Sequence, residues 1–274
     1  MNTSATHDSI LSNPKATRVK RAAALARKKE RQAQGRFLVE GPQAVRELLV
    51  HRPDSADVVF ATIGNEAWQH EVDRLASDAG VVLERVSDEV LAAMSETVHP
   101  QGVVAVARFE AVDLGAALDG ARLVAILHEI RDPGNAGTVL RAADAAGADA
   151  VIFAGESIDP YHPKVVRSTT GSLFHLPVAT AGSLAEAVDA ARGAGLAVLA
   201  ADVRGADLLE ARADGVLAGP VAWAFGNEAR GLTEADRALV DRSLRLPIYG
   251  DAESLNLATA ASVLLYETAF SQRA

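Results

Sequence analysis

Residues 123–141 read LVAILHEIRDPGNAGTVLR. The apolar run 123–127 is short, Leu- and Ile-rich and uninterrupted, which suits a strand buried on both faces. Pro133-Gly134 turns the chain, and a helix is predicted over 134–146. The same strand-turn-helix order recurs downstream. Apolar strands are predicted at 150–154, 196–200, 221–225 and near 244–246, with helices over 183–192, 233–239 and 255–270. Apolar strands alternating with amphipathic helices imply an α/β fold with a mostly parallel sheet. Ligands of such sheets sit at the C-terminal ends of strands, so the loops after Leu127, Phe225 and Leu246 become the places to search.

Upstream, the alternation is looser. A helix is predicted over 16–34, a strand over 36–40, a helix from Pro42 to about Val50 and a strand over 58–61. A helix over 66–79, a strand over 81–85, a short helix capped by Ser87 and a strand over 103–108 complete this half. Residues 1–13 are polar and read as an unstructured tail. The predicted organisation is a basic N-terminal extension (1–35), a small α/β domain (36–109), a linker (110–120) and a larger α/β domain (121–274).

Composition narrows the function. The 274 residues contain no cysteine, which excludes disulfides, thiolate metal sites and a cysteine nucleophile. Seven histidines without ligand-like spacing give no reason to expect a metal. No apolar stretch is long enough to span a bilayer and the N-terminus lacks a signal-peptide run, so a soluble cytoplasmic protein is expected. Net charge is −9, yet Lys15, Arg18, Lys20, Arg21, Arg27, Lys28, Lys29, Arg31 and Arg36 face a single acid, Glu30, in one short segment. Such a segment binds nucleic-acid phosphates by counterion release, or it is simply a solvated helix face.

Three segments carry the chemistry. The first is DPGNAGTVLRAADA (132–145), whose helix start offers free N–H groups and whose Asn135 and Arg141 lie six residues apart, not on one helix face. The second is FGNEARGL (225–232), where glycines bracket Asn227, Glu228 and Arg230. The third is LPIYGDAESLNLATAASVLLYE (246–267), with Ser254 a natural cap for a small-residue helix. Taken singly, each also reads as ordinary construction: a βα turn, a capped helix start, a well-capped terminal helix.

In this order, and all at strand ends, the three resemble the signatures of the SpoU (TrmH-like) branch of the SPOUT methyltransferase superfamily. Within it the basic N-terminus and domain order resemble the 23S rRNA methyltransferases of the thiostrepton-resistance type. The small first domain is similar to that family's L30e-like substrate-binding domain, on Phe37-Leu38-Val39-Glu40-Gly41 and on length. The resemblance implies a deep trefoil knot, which strand patterning would not suggest, a homodimer, and S-adenosylmethionine as cofactor. It implies cofactor contacts from Gly226, Leu246 and Leu255, with Ile248, Asn227 and Leu257 as neighbours. Arg141 matches the family's catalytic arginine, and Asn135, Glu228, Ser254 and Asn256 match its other polar active-site positions.

The implied reaction is methylation of an RNA ribose 2'-hydroxyl, 23S rRNA being the expected substrate. An arginine holds its proton too tightly to be a comfortable base; gripping the adjacent phosphate and polarising the hydroxyl suits Arg141 better. The basic set from Lys15 to Arg31 is expected to hold RNA. Two other readings remain: a tRNA 2'-O-methyltransferase, or a non-catalytic RNA-binding or ribosome-assembly protein that has kept the fold. A nicotinamide dehydrogenase is disfavoured by the missing glycine fingerprint.

Overall fold

The computed structural model describes residues 10–110 and 112–274. It divides the chain into two compact units, Met1–Glu110 with Tyr161–Phe174, and Ala111–Pro160 with His175–Ala274. Of the tail expected over 1–13, positions 1–9 lie outside the described residues. Leu11, however, is part of the first unit: it bridges Val86 in parallel, donating to the Arg85 carbonyl at 2.9 Å and accepting from the Ser87 N–H at 3.0 Å.

The helix predicted over 16–34 is two helices, α1 (Thr17–Ala24) and α2 (Lys28–Gln34). They are not an extension. Val19, Ala22 and Leu25 are buried, and pack in one cluster with Phe60, Val86, Val90, Leu91 and Met94. Spacing of three places the apolar three on one helical face, while the basic residues between them face outward. Arg31 explains the break: the residue is 1% exposed and its guanidinium donates to the Leu25 and Ala26 carbonyls at 2.9 and 2.8 Å, satisfying acceptors that the end of α1 leaves open. Arg31 is therefore a structural group, and its expected role in RNA binding is withdrawn.

β1 (Arg36–Glu40), α3 (Pro42–His51), β2 (Ala56–Thr62), α4 (Ala67–Asp78), β3 (Val82–Val86), α5 (Asp88–Met94) and β4 (Val103–Arg108) follow. The sheet order is β1-β4-β2-β3, with β2 and β3 parallel and the other pairs antiparallel. Ser87 caps α5 as expected, accepting from the Val90 N–H. The linker predicted over 110–120 contains α6 (Leu114–Leu118), capped by Asp113 and burying Ala117 and Leu118 in the second unit's core.

The second unit continues with β5 (Leu123–His128), α7 (Pro133–Ala146) and β6 (Ala150–Ala154). α8 (Pro163–Thr169), which the sequence reading missed, then belongs to the first unit rather than to the domain expected over 121–274. The reason is aromatic. Tyr161 stacks on Phe109 with centroids 4.5 Å apart and tilts against Phe37 at 4.7 Å, and Phe174 stacks on Phe37. In a chain with an aromatic share of 4%, one third of its twelve rings gather here, and such rings supply large buried area plus pairwise attraction.

β7 (Val178–Ala181), α9 (Leu184–Gly193), β8 (Ala197–Asp207), α10 (Leu208–Ala213), β9 (Val221–Phe225), α11 (Glu234–Leu239), β10 (Arg242–Arg245) and α12 (Leu257–Arg273) complete the second unit. Its sheet runs β10-β8-β9-β5-β6-β7, and every pair is parallel. β5, β6 and β9 are buried at every position, as apolar strands with helices on both sides must be. Trp223, wholly buried in β9, donates its indole N–H to Thr268 Oγ1 at 2.8 Å. Chain order reverses on the two sides of β5, so the crevice at the C-terminal strand ends forms where such sheets place ligands.

Candidate active site

Asp132 caps α7 by accepting from the Asn135 N–H at 2.7 Å, so Asn135 lies inside the first turn rather than at the cap. Its side-chain oxygen accepts from Asn256 Nδ2 at 3.1 Å. Asn256 in turn caps α12, its Oδ1 accepting from the Ala258 N–H at 2.9 Å. One side chain thus ties two helix starts together. Ser254 had been expected to cap this helix; it lies two residues before the cap, exposed.

The 226–231 loop is fastened on three sides. Asn227 donates to the Glu129 carbonyl at 2.8 Å, and its backbone carbonyl accepts from the Gly231 N–H at 2.8 Å. Glu228 accepts from the backbone N–H groups of Arg131 and Asp132, at 3.2 and 3.0 Å, placing negative charge where the start of α7 favours it. Arg230 pairs with Glu129, whose φ of 54° is a left-handed value costly for a side chain of this kind. Gly226 has no alternative. A Cβ there would stand 2.5 Å from the Gly231 carbonyl carbon and 2.6 Å from the Leu232 nitrogen.

These loops enclose a cavity of about 430 Å³ at the ends of β8, β9 and β10. Gly226, Asn227, Leu246, Ile248, Leu255 and Leu257 all line it, with Glu228 and Ser254 beside them. Asn135 and Asn256 join it indirectly, through their mutual hydrogen bond and the bonds of Glu228 to the start of α7. Arg141 is not among the lining residues; it lies exposed on α7.

The sequence reading missed Asp202 and Arg204, which also line the cavity. β8 extends well past its predicted end at residue 200, carrying Asp202 almost fully buried. Burial pushes its carboxyl group up. Hydrogen bonds from the Arg204 guanidinium and backbone N–H, with the charges of Arg204 and Arg237, outweigh that and hold it below the ordinary carboxylate range. An acid at the C-terminal end of an apolar strand was the available signal. His128, buried at the end of β5, was missed too; its Nε2 lies 3.5 Å from Asp236.

In the first unit, Arg18 pairs with Glu84 at 2.9 Å and Arg27 with Glu30 at 3.8 Å. Lys15, Lys20, Arg21, Lys28 and Lys29 are exposed. Of the basic set, Arg31 alone is buried.

A parallel sheet with a cavity at its C-terminal strand ends defines an α/β ligand-binding domain. The family model described as SpoU rRNA Methylase family matches residues 122–266, and the chain belongs to that family. A second model, described as MRM3-like substrate binding domain, matches residues 16–105. Among relatives, the 23S rRNA (guanosine(2553)-2'-O)-methyltransferase RlmP of Bacillus subtilis is 34% identical, over 93% of this chain and 97% of its own. The 23S rRNA (uridine(2479)-2'-O)-methyltransferase of Streptomyces viridochromogenes is 32% identical, over 89% and 86%. The crystal structure of the SpoU methyltransferase AviRb from Streptomyces viridochromogenes with AdoMet matches with a TM-score of 0.81 at 30% identity, over 94% of this chain and 99% of that one.

Proposed function

We propose that this chain methylates a ribose 2'-hydroxyl of ribosomal RNA, with 23S rRNA the first substrate to test, working in the cytoplasm as a homodimer. The observation that carries the reading is the cavity at the ends of β8, β9 and β10, lined by all six residues expected to touch the cofactor.

The cavity's chemistry fits S-adenosylmethionine. Leu246, Ile248, Leu255 and Leu257 offer an apolar wall, and Gly226 lets the 231–232 backbone close up against the end of β9 to shape it. When bound, this cofactor supplies a methyl group on a sulfonium. The protein's part is alignment and charge. Asn227 and Glu228 hold the cavity's loop against β5 and α7. Asn135, Ser254 and Asn256 present polar groups to the nucleotide, and Arg141 grips its phosphate and polarises the hydroxyl.

Arg141 does not line its own cavity, which favours an assembly in which a second copy supplies it. Val263, Tyr266 and Phe270 on α12 are exposed, and the two rings pack at 5.7 Å. They offer an apolar face for that copy. The family resemblance carries the proposal that the C-terminal segment is threaded into a trefoil knot. The first unit, with its exposed lysines on α1 and α2, serves as the substrate-binding, L30e-like part.

The deciding experiment supplies the protein with methyl-labelled S-adenosylmethionine and, in parallel reactions, unmodified rRNA or unmodified tRNA, then digests the RNA in alkali. Label in alkali-resistant dinucleotides is expected. Label in mononucleotides would mean base methylation, transfer to tRNA alone would change the substrate, and no transfer at all would leave an RNA-binding protein.

A further inference from the structure

A second cavity, of about 290 Å³, lies within the first unit beside the Glu40-Gly41 step that ends β1. Most of its lining side chains are polar: Glu40, Ser95, Thr97, His99, Gln101 and Arg167. Glu40 lines it with its side chain only 5% exposed. Its Oε1 accepts from the Glu96 N–H at 3.3 Å and from Arg167 Nη1 at 3.4 Å, and its Oε2 from the Thr97 hydroxyl at 3.3 Å. All three bonds are at the long end of hydrogen-bond geometry, and a carboxylate has about four acceptor sites. Ser95 lines the same cavity, and its Oγ is fully buried with no hydrogen-bond partner among the described residues.

A buried carboxylate and a buried hydroxyl left this loosely satisfied are expensive, unless a polar ligand completes them. The order of groups limits what that ligand is. Arg167 donates beside the two acceptor oxygens of Glu40, giving a donor next to an acceptor pair. The Watson–Crick edge of guanine presents the complement, one carbonyl oxygen followed by two N–H donors. Adenine and cytosine each present one donor on that edge, and uracil one donor between two carbonyls. Single-stranded RNA is read through such unstacked bases, bonded on this edge in a fitted pocket. In the same loop Val98 is 89% exposed, an apolar surface that a nucleobase covers well.

We propose that the Glu40–Arg167–Ser95 pocket is a guanine-reading subsite for an unpaired base of the RNA substrate. It rests on the reading of the chain as an RNA methyltransferase and adds a sequence preference outside the methyl-transfer site. α8 supplies Arg167, so the segment 161–174 gives the first unit half of its recognition pair.

The test uses the full chain and fluorescein-labelled RNA pentamers, 5'-UUGUU, UUIUU, UUAUU and UUUUU, titrated by fluorescence anisotropy. The guanine pentamer is expected to bind about tenfold more tightly than the inosine pentamer, which lacks the 2-amino donor, and at least as far ahead of the other two. Glu40→Gln swaps an acceptor for a donor and is expected to bring that preference within about twofold, with the thermal unfolding profile of the full chain unchanged as the check on folding. Ser95→Ala removes one oxygen without disturbing packing and keeps the test decisive if Glu40→Gln does not fold. Equal binding of the four pentamers by the wild type, or a full guanine preference in the folded variants, overturns the proposal. Methyl transfer to rRNA, assayed separately, stands or falls independently of the pentamer result.

Discussion

The two cavities are made of different materials. The one at the end of the six-stranded sheet is shaped by main chain: loops pinned by Asn227, Glu228 and Asn256, a glycine where nothing larger fits, and aliphatic walls. The one beside β1 is shaped by side chains from three distant stretches, Glu40, the 95–101 loop and Arg167. A main-chain cavity fixes a ligand by shape and tolerates exchange along its walls, but not where backbones nearly touch. A side-chain cavity reads hydrogen-bond patterns, and single conservative changes alter what it reads.

That contrast can be pressed at several points. The largest effect is expected outside both cavities. Arg141→Ala should lower turnover by about a thousandfold, the order of removing a positioned transition-state partner, while calorimetry finds S-adenosylmethionine binding intact. Activity near wild type would remove Arg141 from the reaction. Mixing this variant with one whose cofactor cavity is broken should restore part of the activity if a second copy supplies the arginine.

Gly226→Ala forces backbone apart, so cofactor affinity should fall by about a hundredfold, whereas Ile248→Ala should cost about tenfold or less. Equal losses at the two positions would erase the distinction between frame and wall. Next in size is RNA binding by the first unit. Replacing Lys20, Lys28 and Lys29 together by Gln should reduce the salt slope of rRNA affinity by about 2 to 3, with melting temperature unchanged. Deleting residues before Arg36 is a poor substitute, because it strips Val19, Ala22 and Leu25 from the core.

The smallest effects are in stability. Asn256→Ala should cost about 1 kcal/mol in denaturant unfolding through the lost cap of α12. Asp202 is held below its unfolded value, so its contribution is present above about pH 4 and fades as pH falls through the lower folded value. Asp202→Asn should therefore lower Tm by about 2–4 °C at pH 7, a gap that closes in acid. A gap that widened in acid would mean that its arginine partners do not stabilise the ionised form.

How much of this was legible follows the same division. β5, β6 and β9 could be read because strands buried on both faces must be apolar throughout, and α7 because a Pro-Gly turn opens it. The cavity at the ends of β8, β9 and β10 was legible because its loops carry their requirements locally, in runs such as 225–232. Glu40 was visible only as part of a motif, since nothing in its neighbours announces that Ser95 and Arg167 meet it. Arg31 was misread because charge suggests surface, whereas a guanidinium that satisfies helix-end carbonyls can be buried. α8 escaped notice because its first turn, Pro163 to Val166, has no long amphipathic repeat; its aromatic flanks fix it in place.

The late position of α8 also sets a schedule. A ribosome making chain at about 5–20 residues per second delivers β4 several seconds before Tyr161, Arg167 and Phe174 emerge. During that interval Phe37 and Phe109 have no ring partners from the later segment, and Glu40 is without its arginine. The second unit's first strands are synthesised in the meantime, so the first unit is finished by chain that interrupts its successor. A fragment ending at residue 110 would hold every strand of the first sheet and still be an unfinished protein.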